Sequence, residues 1–160
     1  VNLRDVEGRS ALLLGKAKDN NASCSLGPLL RLFDANFSLE DVKQAEVELE
    51  IVGPEGFRLD GSSSMNRISR SPEELTQATI GPHHQYPDGL VLFLGTMFAP
   101  TKDRDTPGGG FTHKVGDWGT IKTPLLGALS NQVALSPDCP PWTFGTADLM
   151  RNLARRGLLN

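Results

Sequence analysis

The alternation of apolar and polar positions is sharpest between residues 46 and 59. Val47, Leu49 and Ile51 alternate with Glu46, Glu48 and Glu50. That period of two puts the apolar side chains on one face of a strand and the carboxylates on the other. Gly53-Pro54-Glu55-Gly56 supplies turn residues, and Phe57 and Leu59 resume the alternation, so residues 45–60 predict a β-hairpin. Leu90–Leu94 is apolar at every position and closed by Gly95-Thr96, which predicts a short strand covered on both faces. A long polar loop follows it, with Pro100, Pro107 and glycines at 108–110, and then two strand-like pieces, Trp118–Thr123 and Ala128–Val133. A helix is predicted to start at Ser71, with Pro72 at its first position and Glu74 completing a capping box, and to stop at Gly81-Pro82. Leu75, Ala78 and Thr79 share one of its faces. A last helix, from Thr146 to about Arg156, is expected to turn Leu149, Met150 and Leu153 inward. The balance is mainly β with short helices, an α+β chain. No repeat or linker divides it, so residues 1–160 read as a single domain.

Bulk composition changes this picture mainly by exclusion. A chain of 160 residues can bury a core for one domain. Its net charge of −3 offers no basic face for nucleic acid. No stretch has the length and apolarity of a membrane-spanning helix, and the opening VNLRDVEGRS has charges and no apolar run, so it is not read as a signal peptide. Two cysteines, Cys24 and Cys139, make neither a disulfide framework nor a metal-binding spacing. A reducing, cytoplasmic setting is the expectation. The start at Val1 rather than Met suggests a piece of something longer.

Candidate chemistry is sparse. Glu46, Glu48 and Glu50 share a strand face, which reads as the solvated side of a half-buried strand in preference to a metal cluster. His83-His84 follows a helix stop and reads as a surface turn. His113 lies in the glycine-rich loop, where it either meets a ligand or hydrogen-bonds the loop to itself. Gly108-Gly109-Gly110 lacks the following Gly-Lys-Ser/Thr of a phosphate loop. Lys18 is either a surface residue or a cation set beside an anionic substrate, with a part in proton transfer. Cys24 sits among small residues and reads as packing rather than nucleophile, and there is no nucleophile elbow.

Several segments taken together resemble the fumarylacetoacetate hydrolase superfamily. Gly95-Thr96, Gly116-Asp117, Leu126-Gly127-Ala128-Leu129 and Asn131-Gln132-Val133 follow its C-terminal signature in order. Arg4-Asp5-Val6-Glu7 looks like its Arg-Asp-x-Gln segment, and Lys18 with Leu26-Gly27-Pro28 like its lysine and Leu-Gly-Pro. The run from Ile80 through His113, including Thr101-Lys102-Asp103-Arg104, looks like a bacterial branch of 2-keto-3-deoxy sugar-acid enzymes.

The resemblance implies a mixed β-roll with short helices, a homodimer, and Mg²⁺ or Mn²⁺ held in the full-length parent against a small-molecule 2-oxo acid. A hard cation suits the 2-oxo and carboxylate oxygens and favours the enolate. By the same resemblance Lys18 binds substrate and transfers protons. Gly95 and Thr96 receive the substrate carboxylate, and Arg4 supports the metal shell; His113 is added as a substrate-binding candidate from its place in the loop. Glu7 stands where relatives carry glutamine, which leaves it as a base or a surface group. No metal ligand carries over, because the family's Glu-x-Glu pair and aspartate precede the lysine and would fall before Val1. The chain is therefore expected to be an N-terminally truncated, partial catalytic domain, inactive alone. The first functional expectation is C–C bond hydrolysis through an enolate. The rivals are a dehydratase (hydro-lyase) acting on a 2-keto-3-deoxy sugar acid and a non-catalytic β-rich binding or dimerisation domain.

Overall fold

A computed structural model describes residues 10, 12, 14–95 and 101–159. The expectations at Arg4, Glu7 and Thr96 lie outside the described residues. The chain divides into two compact units, Val1–Leu26 with Ala134–Asn160 and Gly27–Val133.

The second unit is built on a four-stranded antiparallel sheet of order β2-β1-β3-β4, from β1 (Glu46–Val52), β2 (Arg58–Ser64), β3 (Trp118–Thr123) and β4 (Gly127–Gln132). The hairpin forms where the alternation placed it. Ile51 pairs with Leu59 across β1 and β2 and is 1% exposed. Gly53 N–H donates to the Phe57 carbonyl at 2.8 Å and closes the turn. The carboxylate face of β1 is polar surface, as expected. Glu48 pairs with Lys122 of β3 at 3.0 Å and Glu50 with Arg58 of β2 at 2.5 Å. β3 occupies its expected residues, and β4 is shifted by one. Gly127, with φ +80°, sits at the turn between them.

Two short helices and one 3₁₀ turn flank the hairpin: α2 (Leu39–Lys43), the turn Met65–Arg67 and α3 (Pro72–Thr79). The α3 start is the one the sequence specifies. Ser71 Oγ accepts from Glu74 N–H at 3.2 Å, and Ser71 N–H donates to the Glu74 carboxylate at 2.9 Å. Met65 N–H donates to the Ala45 carbonyl at 2.9 Å, which brings buried Met65 back under β1. Phe37, Ile51, Leu59 and Met65, with Pro72 at the start of α3, are buried apolar residues among those described. His83-His84 forms the expected turn, with Gly81 and His84 exchanging backbone hydrogen bonds at 3.1 Å.

The first unit contains α1 (Leu14–Lys18) and α4 (Thr146–Arg155). Asn21 joins residues 19–23 to residues 136–140: its amide donates to the Pro140 carbonyl at 3.2 Å, and its carbonyl accepts from Ser136 Oγ at 2.8 Å.

Three expectations need correction. Leu90–Leu94 is not a strand, and Val91 and Phe93 are 67% and 64% exposed. An unbroken apolar run marks a strand only if neighbours pair with it on both sides, and none of the described strands does. In α4, Leu149 and Met150 are 44% and 49% exposed: the stripe has helical spacing, but little covers it. Cys24 is exposed rather than packed.

Candidate functional site

The glycine-rich loop owes its shape to two neighbouring residues of opposite charge. Asp103 accepts from the backbone N–H groups of Gly108 and Gly110 at 2.7 and 2.8 Å, and these bonds hold its carboxyl below the usual range. Gly108 and Gly110 have φ of +78° and +71°, left-handed values that glycine adopts without steric cost. Arg104 runs inward from the loop, its side chain 1% exposed.

The Arg104 guanidinium meets the fully buried Asp117 through two parallel bonds, Nη1 to Oδ2 at 2.5 Å and Nη2 to Oδ1 at 2.7 Å. Such fork-on-fork pairing is the strong form of a charge-assisted hydrogen bond. Its Nε and Nη2 both donate to Glu55 Oε1, at 2.9 and 2.6 Å, and Nη1 also donates to the Thr112 carbonyl at 3.0 Å. The guanidinium lies 4.6 Å from the Phe57 ring centroid. Arg104 thus ties the loop, the hairpin turn and the residue before β3 into one charged network. Its hydrogen bonds hold the Asp117 carboxyl down to about 2 and lower that of Glu55. An added Cβ at Gly53 would stand 2.6 Å from Arg104 Nη2 and 3.1 Å from Asp117 Oδ1, so glycine keeps the turn open to the guanidinium.

His113 sits at the edge of this network. Its Nδ1 is 3.5 Å from Asp117 Oδ2, and its ring meets Phe111 edge-on at 5.0 Å. Burial lowers its pKa, with Asp117 opposing, so at neutral pH the ring is uncharged. A neutral imidazole with one nitrogen turned to a carboxylate keeps the other as an acceptor. Lys114 closes the outer side through Asp105 and, at 3.6 Å, Glu55.

The described sequence candidates fall on both units, and within the second unit Gly95 and His113 lie apart. Lys18 ends α1 in the first unit, and its carbonyl accepts from Ser23 Oγ at 2.7 Å. Gly95 belongs to the second unit, exposed and with φ +94°. Leu94, beside it, borders a cleft at the end of the hairpin where β1 begins and β2 ends. His113 lies at the other end, against the turn. Seven-residue strands separate the two ends by roughly 20 Å, more than a small keto acid spans. The Arg104–Asp117 pair was not visible as such in the sequence. Gly116-Asp117 and Asp103-Arg104 stood out as motif pieces, and only the fold joins them. Among the described residues, no group of three or more His, Cys, Asp or Glu side chains is placed to hold a metal ion.

No protein-family model matches the chain. It is similar to the 2-dehydro-3-deoxy-D-arabinonate dehydratase of Saccharolobus solfataricus, at 27% identity over 126 residues, covering 78% of this chain and 41% of that protein. It is also similar to a probable 2-keto-3-deoxyxylonate dehydratase of Haloferax volcanii, at 27% identity over 133 residues, covering 83% of this chain and 42% of that one. A solved 2-keto-3-deoxy-D-arabinonate dehydratase, complexed with magnesium and 2,5-dioxopentanoate, superposes with a TM-score of 0.66 and 26% identity over 82% of this chain and 43% of its own. The α+β fold is thus shared with a sugar-acid dehydratase. The chain spans about two fifths of the length of the curated relatives it matches.

Proposed function

We propose that these residues belong to a metal-dependent hydro-lyase of the fumarylacetoacetate hydrolase superfamily, which removes water from a 2-keto-3-deoxy sugar acid. One observation carries this: sequence and structural comparison lead to the same reaction class, dehydration of a 2-keto-3-deoxy pentonate. That favours loss of water over the C–C hydrolysis that the resemblance put first. In such a substrate, carbon 3 lies next to the 2-oxo group and carries acidic protons. Taking one of them forms the enolate, and expelling the hydroxyl from carbon 4 restores the carbonyl, forms a carbon–carbon double bond and releases one water.

Within this reading Lys18 binds the acid and moves a proton. Gly95 and Thr96 receive its carboxylate, and His113 stays with the loop that Arg104 holds. Arg4 and Glu7 keep the roles that the resemblance suggests. Mg²⁺ is the cofactor of the whole protein. The described residues do not form its cage, so no step is assigned to the ion.

The test is product analysis. In Mg²⁺ buffer, the protein is incubated separately with 2-keto-3-deoxy-D-arabinonate, 2-keto-3-deoxy-D-xylonate and an acylpyruvate. A product lighter than a keto-deoxy acid by one water supports the reading. Pyruvate released from the acylpyruvate alone returns the hydrolase, and no turnover of any of the three leaves a binding domain.

A further inference from the structure

The cleft bordered by Leu94 has a volume of about 630 Å³, within the range of small-molecule sites, and its walls are mostly polar. Ser62, Ser63 and Ser64 line it from the end of β2, and Asn66, Arg67 and Arg70 from the 3₁₀ turn and the segment leading to α3. Two features have no explanation within the fold. Ser64 is 9% exposed, and among the described residues its buried Oγ has no hydrogen-bond partner. A buried hydroxyl left unpaired is costly, and native structures retain few of them. Arg67 is exposed, and among the described residues no carboxylate pairs with it. Arg70 makes one weak contact, from Nη2 to the Glu74 carbonyl at 3.5 Å.

We propose that this cleft is a binding site for a hydroxylated monocarboxylate, with Arg67 and Arg70 taking the carboxylate and Ser64, the neighbouring serines and Asn66 taking hydroxyl groups. A guanidinium presents paired donors that match a carboxylate, which a lone ammonium does not. Serine hydroxyls and an asparagine amide both donate and accept, as sugar hydroxyls require. Glu46, on the β1 side, accepts from a hydroxyl and repels a second carboxylate, so the site selects one negative charge. The hydroxyl-rich ligand class rests on the hydro-lyase reading, and the anionic end rests on the arginines alone. Leu94, on its border, is the neighbour of Gly95, to which the resemblance also gives the substrate carboxylate, so the arginines and the Gly95 backbone share that end of the ligand.

The test is calorimetric titration of the 160-residue protein with D-arabinonate, a stable acid that cannot be turned over by this chemistry. Neutral D-arabinitol and acetate serve as controls. Arabinonate is expected to bind, more tightly than acetate, and arabinitol is not. R67Q is expected to weaken arabinonate about tenfold or more, and S64A to weaken it while the melting temperature holds or rises. R67Q alters only an exposed side chain, so the fold survives it. Undetectable arabinonate binding, unchanged binding in R67Q, or acetate binding as tightly as arabinonate would each overturn the site. Dehydration of a keto-deoxy acid with wild-type kinetics in R67Q would retain the hydro-lyase and remove the cleft. Arabinonate binding lost in R67Q, with no dehydration of a keto-deoxy acid by the wild-type protein, would retain the cleft and remove the hydro-lyase.

Discussion

At the scale of single residues, Asp117 carries the most. Replacing it by asparagine leaves the buried Arg104 guanidinium, among the described residues, with only half-exposed Glu55 as a charged partner. Breaking a buried pair from one side costs about 3–5 kcal/mol, and Glu55 puts the expected loss at the low end. The Asp117→Asn denaturation midpoint measures it. The pH dependence has a definite sign. The folded-state pKa of Asp117, about 2, lies below the ordinary 3.8. The unfolded chain therefore binds the proton more readily, and this stabilisation is complete above about pH 5 and lost as pH falls towards 2. Asp117→Asn is expected to flatten that part of the stability curve, and an unchanged acid limb would show that the pair contributes little. Lys18 belongs to this scale too. On the proposed hydro-lyase reading, Lys18→Ala is expected to remove most turnover and leave the fold intact, as judged by steady-state kinetics and circular dichroism. Lys16→Ala is the control, because positions two apart on α1 face nearly opposite directions.

At the scale of elements, β3 carries a weakness. Gly119 sits mid-strand, paired with Ile51 and Asn131, and an added Cβ there meets nothing within 4 Å. Glycine in a strand interior loses backbone entropy on folding without packing in return, a cost of roughly 0.5–1 kcal/mol. Gly119→Thr is expected to raise the melting temperature by a few degrees in a thermal scan, whereas a fall would mean the open space has another use. The elements legible in the sequence are those with local rules. The glutamate alternation fixed β1, and Ser71, Pro72 and Glu74 fixed the start of α3. Leu90–Leu94 misled because apolarity at every position has no period, and so cannot report whether a ladder partner exists. Arg104 and Asp117 were illegible as a pair for a related reason. They are thirteen residues apart across an irregular loop, and the loop's own backbone bonds together with the close approach of the turn at Gly53 bring them together.

At the scale of the molecule, the apolar surface is large for so small a core. Besides Pro72, four described apolar residues are buried, while Leu29, Leu30, Phe33, Val91, Phe93 and Trp142 are each at least 60% exposed. Exposed apolar area of this kind marks surface that binds something or aggregates. The 160-residue protein is expected to self-associate as its concentration rises and to enhance the fluorescence of a hydrophobic dye. Sedimentation velocity across a concentration series checks the first, and a constant monomer mass at high concentration would count against it.

The consecutive Asp103 and Arg104 bear on how the glycine-rich loop responds to a ligand. Asp103 curls the loop onto its own backbone, and Arg104 clamps its base to the hairpin turn. The ordering entropy of those three glycines is therefore met when the chain folds, not when something binds. Ligands should meet a loop already in its final shape, so its amides should exchange slowly with solvent whether or not a ligand is present. Residues added between Asp105 and Pro107 fall within the turn that Asp103 closes, so they should loosen its hold on Gly108 while the Arg104 clamp to the hairpin turn stays.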